Sequence, residues 1–517
     1  MKKHKTVCNM LLSVPIKNTG KMKNIQNTGN TKGISFDQKL MMEWIKDMSD
    51  FGPRRAGSTA GHENEDYLAE KLMEFGLESV HKEPIPIVYR NTREAILEID
   101  EGNGFRSVDS QHIPFSAYTP DQGIEGNLVY ADPKAFFQSN DWKGKIVITD
   151  ISFPMLDVKQ IAEFSLGRYD PEGSMLSIKH PATWVRINWH FYKKACQKGA
   201  IGFIGILKDQ PGGSCRMYAP YGFKEKDILD KPIPGFWVSR NDGSKLHELA
   251  KKKQTRVRMI HTGEHKPEIT NNIVGEIPGQ NDEIVILHCH HDSPFRSPVE
   301  DASGCSVILA LAKHFAEHRD NKRKIVILFT AGHFYGSIGT RTFIQKHTHD
   351  IVPQVALEIT IEHIAKEAIE NSEGDLIYSG HPEGTGIFVP LNKAMVSTVL
   401  ESVQKNSVDR VFLLPPEGPL GEYPPTDGGD WHEAGVPLIN IISNPVYLLN
   451  EEDDLEWIME DRLPKVAGAV ADMVYKTDTM SKRAIGFVEF KGFKFKMKLV
   501  RQIVKMKTSR FGLRPVY

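Results

Sequence analysis

From Asp37 onward the apolar residues Leu40, Met41, Trp44, Ile45 and Met48 recur every three or four positions, the spacing of a helix with one buried face. The period stops in FGPRRAGSTAGHE, where glycine and proline intervene. It resumes in DYLAEKLMEFGLESV, a second predicted helix with Gly76 placed as its C-cap. Between about Gly123 and Thr262 short β-branched runs take over: GNLVYA, KGKIVITDI, IGFIGIL and IPGFWVS, with a helical stretch NWHFYKKACQKGA before the third. After NNIVGEIPG the runs EIVILHCH, KIVILFTAG, VALEITIEHIA and VPLINIIS are apolar at nearly every residue, and SGCSVILALAKHFAEH follows the first as a helix. Strands without alternation are buried on both faces. The expectation is therefore an α/β chain with a doubly wound, mixed but mostly parallel sheet flanked by helices.

Punctuation and charge divide the chain into five pieces. Residues 1–33 carry seven lysines and no acid, with too few apolar residues to fold, and are expected to be a disordered basic leader. Residues 34–120 and 266–480 are expected to build one α/β domain, and 121–265, with its own strand-helix-strand core, an inserted domain. Residues 481–517 form a second basic tail, in which the alternation FKFKMKL (Phe493 to Leu499) predicts a half-buried strand and VRQIVKMK a helix. The body between the tails is acidic, although the whole chain of 517 residues has a net charge of only −1.

Composition narrows the function classes. At 40% apolar and 25% charged residues the chain is an ordinary globular protein, and the near-zero net charge gives no global field for nucleic acid. No apolar run reaches the roughly 18–20 residues of a membrane span. Five scattered cysteines without a C-x-x-C exclude a disulfide framework and point to a reducing, cytoplasmic setting. The opening MKKHKTVCNMLLSVPIKNTG resembles a secretory signal, but Asn9 and Ser13 interrupt it and no small-x-small site follows, so secretion is the minor alternative.

In doubly wound sheets ligands bind beyond the carboxyl ends of the strands. Here those ends are rich in metal-binding side chains: His288 to Asp292 after EIVIL, Glu300 and Asp301 before the next helix, His333 after KIVILFT, Glu362 and His363 after VALEITI, and Asp427, Asp430 and His432 before VPLIN. Imidazole nitrogen and carboxylate oxygen are zinc's preferred partners alongside thiolate. Each residue taken alone has a plainer reading, a carbonyl-bonded histidine or, for Asp301, a helix N-cap; the cluster as a whole predicts a metal or catalytic site. A second pattern, His314-Phe315-Ala316-Glu317-His318, fits H-x-x-E-H but falls at the end of its helix remote from the strand ends. No G-x-S-x-G elbow or phosphate-binding loop occurs.

The succession His290-His291-Asp292-Ser293, Asp301-Ala302-Ser303-Gly304, Thr330-Ala331 through Gly336-Ser337, Glu362, and Glu433-Ala434-Gly435-Val436-Pro437 resembles the zinc aminopeptidase and glutamate carboxypeptidase superfamily, clan MH. GPRRAGSTAGHENEDYLAEKLMEFGL is similar to the family's opening, and KGKIVI with KKACQKGAIGFI to a protease-associated domain inserted at 121–265. The resemblance implies a metal-dependent hydrolase of peptide or other amide bonds, with two zinc ions. The pattern departs from the family at the ligands. The bridging aspartate falls on Val299, beside Glu300; the glutamate pair of base and ligand on Gly332 and His333; the last histidine ligand on Gly428.

What remains implies a rewired zinc site, with one ion rather than two, held by His290, His333, Glu362 and Glu300; His291, His363, Asp430 and His432 are further candidates. Asp292 is expected to orient His290, and Glu300 or Asp301 to act as general base. The substrate expected is a peptide or small amide. Trp184, Trp189, Phe334, Tyr335, Tyr423 and Trp431 either line its pocket or simply pack. The contrasting expectation is a catalytically silent descendant that keeps the fold for binding or assembly.

Overall fold

A computed structural model describes residues 34–138, 142–185, 187–222, 229, 231–252, 255–417 and 423–486. The leader 1–33 and the strand and helix expected within 487–517 lie outside the described residues.

The runs that are apolar at every position become the centre of a 15-stranded sheet. Arg323–Thr330, Asn281–His290, Val355–Glu362 and Leu438–Ser443 lie side by side in that order, all parallel. Ile284, Val285, Ile286 and Leu287 are all buried, as a strand covered on both faces requires. Thr385–Phe388 adds antiparallel to Leu438–Ser443, and Val411–Leu414 parallel to Thr385–Phe388. Helices Gln38–Asp50, Ser303–His318 and Arg462–Thr477 pack together over this part. The first of them is capped by Asp37, whose carboxylate accepts from the amides of Lys39 and Leu40, and buries Met41, Trp44, Ile45 and Met48 as the period predicts.

The second helix runs over Thr59–Glu74 and starts inside the segment expected to be a break. Ser58 is the reason: its hydroxyl accepts from the amide of Gly61, so the glycine follows a working N-cap. Gly76, at φ 77°, ends the helix, a conformation that favours glycine.

The sequence pattern did not announce a long antiparallel ribbon, Glu78–Asp100 paired with Arg256–Ile277. One end of the second strand pairs through Ile273–Ile277 with Arg323–Thr330; its other end pairs through Arg256–Met259 with Ile124–Tyr130. From there Ile124–Tyr130, Lys145–Ile151, Gly202–Leu207 and Gly235–Ser239 run parallel around a core of Leu97, Ile148, Ile204, Phe236 and Met259.

Part of the segment 121–265 reaches away from the core of its own strands. Its strand Gly167–Tyr169 pairs with Val411–Leu414 at the opposite edge of the sheet, and Val158, Met175 and Ile178 pack on Phe388, Phe412 and Leu438. Val158, Met175 and Ile178 of this excursion are thus buried against the C-terminal half, while the parallel strands of the segment share the core described above.

Near that excursion Glu383 is buried at 3% exposure. Burial, reinforced by Glu367, pushes its carboxyl up to about 8, against the pull of the Gly384 amide and of Arg410 and Arg462. The folded chain thus keeps a proton that the unfolded chain releases near the ordinary carboxylate range. This contribution to stability is complete below the ordinary value and is lost as pH rises to about 8. Glu383→Gln cannot ionise, so its melting temperature relative to the parent chain should climb between about pH 5 and pH 9. A gap that is constant with pH in calorimetry would refute the assignment.

Candidate metal centre

His290 is the last residue of Asn281–His290, and Glu362 the last of the neighbouring strand Val355–Glu362, with His363 next in the chain. Parallel pairing in register brings the two strand ends together. Glu300 arrives from the turn before helix Ser303–His318. Two groups of ligand atoms converge among the described residues: one each from His290, Glu362 and His363, and one each from His290, Glu300 and His333, all within 4.8 Å of one another. His290, Glu300 and Glu362 are no more than 1% exposed.

Hydrogen bonds fix the orientation of the imidazoles. His290 Nδ1 donates to the carbonyl of Asp292 at 3.1 Å, and His363 Nδ1 to the carbonyl of Ser443 at 2.7 Å. A carbonyl only accepts, so Nδ1 carries the proton in both rings and Nε2 is left for another partner. That arrangement is the usual support of a metal-ligating histidine. Both Nε2 atoms approach one carboxylate: His290 Nε2 lies 3.4 Å from Glu300 Oε1, and His363 Nε2 2.7 Å from Glu300 Oε2. Neither contact is aligned as a hydrogen bond, and His290 Nε2, His363 Nε2 and Glu300 Oε2 are all buried without a hydrogen-bond partner. Bonds of about 2.0–2.1 Å to zinc place tetrahedral ligand atoms about 3.3–3.4 Å apart, so the wider spacing matches a shared ion and the narrower is slightly tight.

The electrostatics point the same way. Burial works against charge on His290, but Asp292 and Glu300 outweigh it and hold the ring well above its ordinary range. Burial likewise opposes the charge of Glu300, yet His363 and His290 hold it well below the carboxylate range. His363, despite burial, is raised to about 10 by Glu300. Burial pushes Glu362 up to about 7, opposed by His363 and His290 and reinforced by Asp427 and Asp301. A buried carboxylate between two imidazoles demands positive charge, which either protons on the rings or a metal ion supplies. Imidazole nitrogen and carboxylate oxygen fit zinc.

The turn carrying Glu300 is held by residues the sequence reading did not single out. Asp453 accepts from the amides of Val299 and Glu300, both at 3.0 Å. The buried guanidinium of Arg54 donates to the carbonyls of Met48, Arg296 and Ser297. Arg54 stands in the GPRRAG stretch and was legible there as part of a motif. Asp453 sits in the acidic run Glu451–Glu452–Asp453–Asp454, where nothing local separates it from solvated neighbours.

Of the other candidates, Asp292 Oδ1 accepts from the amide of His333 at 3.1 Å and lies 3.7 Å from His290 Nδ1, so the orienting bond to His290 comes from the Asp292 carbonyl. Asp301 spends its carboxylate on structure: Oδ1 accepts from the amides of Gly304 and His363, and Oδ2 faces the Cys289 thiol at 3.0 Å. His291 is turned to the carbonyl of Asn271, and His432 pairs with Glu417. Neither of these histidines, nor Asp430 in helix Gly428–Glu433, belongs to a converging group. Val299 is wholly buried, and it is Glu300 that stands between the two histidines. His314 bonds the hydroxyl of Tyr475, and His318 the carbonyl of His314, at the far end of their helix.

At Gly332 and Gly428 a side chain would displace a neighbour. A Cβ on Gly332, at φ 72°, would meet Ile338 Cγ2 at 2.5 Å; one on Gly428 would meet Asn440 Oδ1 at 2.8 Å. Asn440 in turn donates to Glu362 Oε1 at 3.1 Å. Among the aromatic candidates Phe334 flanks His290 and His333, whereas Trp431 is buried core against His288 and Phe343 and Trp189 stacks on Tyr192. Tyr218 and Tyr221, from the segment expected as an insertion, pack on Phe334.

Comparison with known proteins agrees with the fold. Residues 272–474 match Peptidase family M28. No protein of curated function matches the chain in sequence. Among solved structures, a peptidase M28 precursor from Shewanella amazonensis superposes with a TM-score of 0.65 at 18% identity, over 86% of this chain and 94% of that one. BSAP, a zinc aminopeptidase from Bacillus subtilis, gives 0.63 at 18% identity, over 87% and 98%. An aminopeptidase from Aneurinibacillus sp. strain AM-1 gives 0.57 at 18%, over 85% and 94%.

Proposed function

With the match of residues 272–474 to peptidase family M28 as the starting point, we propose that the chain is a metal-dependent hydrolase of peptide or other amide bonds, aminopeptidase-like in substrate, working with one zinc ion per chain. His290, Glu362 and His363 are its protein ligands, and Glu300 completes or relays the site. The observation that carries this reading is the pair of imidazole Nε2 atoms directed at one buried carboxylate, 3.4 and 2.7 Å away and aligned with neither as a hydrogen bond. Buried polar atoms that face each other without an aligned hydrogen bond call for an explanation, and an ion shared among them supplies one.

When bound, zinc would polarise the amide carbonyl and acidify water toward neutrality. The chain's own part is to fix the donors through the carbonyls of Asp292 and Ser443, to hold the Glu300 turn with Asp453 and Arg54, and to keep bulk water out through the near-complete burial of His290, Glu300 and Glu362. The aromatic wall of Phe334, Tyr218 and Tyr221 suits an apolar side chain on the substrate.

The catalytically silent reading is favoured by one observation, that Gly332 and Gly428 stand where the resemblance puts a base and a ligand, and a side chain at either would displace Ile338 or Asn440. Elemental analysis separates the two. Purified chain should contain about one zinc, lose it to a chelator together with hydrolysis of aminoacyl 4-nitroanilides, and regain both on reconstitution. A chain without metal and without hydrolysis would establish the silent reading.

A further inference from the structure

Resting on the reading of a metal-dependent amide hydrolase, we propose that His333 and Asp427 form the proton-transfer dyad of the site, with His333 Nε2 as general base and Asp427 as the residue that positions it. His333 Nδ1 lies 2.8 Å from Asp427 Oδ1, and the same oxygen accepts from the Ser337 hydroxyl at 2.7 Å. A carboxylate held from two sides presents Nδ1 with a fixed acceptor, so the ring keeps its proton there and offers Nε2, the logic of a histidine oriented by a buried acid. The backbone is fixed too, through the His333 amide on Asp292.

Although a His333 nitrogen converges with His290 and Glu300, its ring orientation suits a proton acceptor better than a ligand. Its ring is stacked on that of His290, centroids 4.2 Å apart and planes 17° from parallel. A lone pair on an imidazole nitrogen lies in the ring plane. Near-parallel stacked rings aim theirs along separate planes, so an ion on His290 Nε2 at about 2.0–2.1 Å lies off the axis of the lone pair of His333. A proton acceptor has no such requirement, because water spans the gap. A ring nitrogen of His333 is within 4.8 Å of ligand atoms on His290 and Glu300, a distance one water bridges. At 10% side-chain exposure His333 is also the most open of the converging residues, beside the ring of Tyr221. Gly332 carries no side chain to compete for the proton.

In the reaction, Nε2 takes a proton from water as the water oxygen bonds to the amide carbon. It returns that proton to the nitrogen of the departing amine as the C–N bond breaks and its electron pair leaves with nitrogen. Asp427 stays ionised and balances the imidazolium formed in between.

The test uses the full chain and two variants, His333→Ala and Asp427→Asn, with His333→Gln as a volume-filling control for folding. His333→Ala should keep about one zinc, lower kcat about 10²- to 10⁴-fold with KM nearly unchanged, and recover part of that rate on addition of imidazole. In the chelated chain a far-downfield imidazole N–H proton resonance should be present and should vanish in both variants. Loss of zinc from His333→Ala would make the residue a ligand and overturn the proposal, as would an unchanged kcat or the absence of the downfield proton. A parent chain that holds no zinc and hydrolyses no amide removes the underlying reading and the catalytic role together, and its metal analysis distinguishes that failure from the others.

Discussion

Alanine in place of His290 is expected to leave the chain without zinc and without measurable amide hydrolysis. The imidazole is the one donor shared by both groups of converging ligand atoms. Losing the ion removes several kcal/mol of transition-state stabilisation, roughly a thousandfold or more in rate at about 1.4 kcal/mol per decade. His291→Ala supplies the contrast. That ring bonds the Asn271 carbonyl, so the variant should retain the metal even if its stability drops. Zinc measured by mass spectrometry in both variants decides the matter: equal content would mean that His290 is no ligand.

Trp431→Ala is expected to destabilise the fold by about 3–5 kcal/mol while leaving KM for any amide substrate nearly unaltered. The indole is fully buried beside Phe343, Leu328 and Val436, with an edge toward His288. A denaturant titration with the midpoint lowered at unchanged slope is the expected signature. A stable variant with a large change in KM would instead restore Trp431 to the pocket wall. The sequence alone could not choose, because a tryptophan four residues before a glycine turn reads the same on either side of the sheet.

Other features were legible for a clear physical reason. Strands buried on both faces have no polar residues to dilute their pattern, so the ends of EIVILHCH and VALEITIE could be located, and with them His290 and Glu362. His363 was visible as a candidate, but its bond to the Ser443 carbonyl joins residues 80 apart and has no local signature. The same holds for Asp453, whose partners Val299 and Glu300 lie more than 150 residues away. The ribbon escaped notice for the opposite reason: from Val88 to Ile96 no residue of its first strand is fully buried, so neither face alternates. Within 121–265, the apolar side chains Val158, Met175 and Ile178 carry no local mark that Phe388, Phe412 and Leu438 bury them.

That ribbon constrains how the family resemblance can vary. Its strands of 23 and 22 residues, on the order of 70 Å long, pair from Glu78 with Glu276 to Asp100 with Arg256, and the register shifts between Glu78 and His81 and again between Thr92 and Glu94. Between the register shifts, in the continuous run from His81 with Val274 to Thr92 with Gly263, a deletion in one strand would slide the following pairs and turn inward side chains outward. Away from the two register shifts, which already absorb an extra residue in the first strand, a length change must be made in both strands at once, and there the strands mesh like toothed racks.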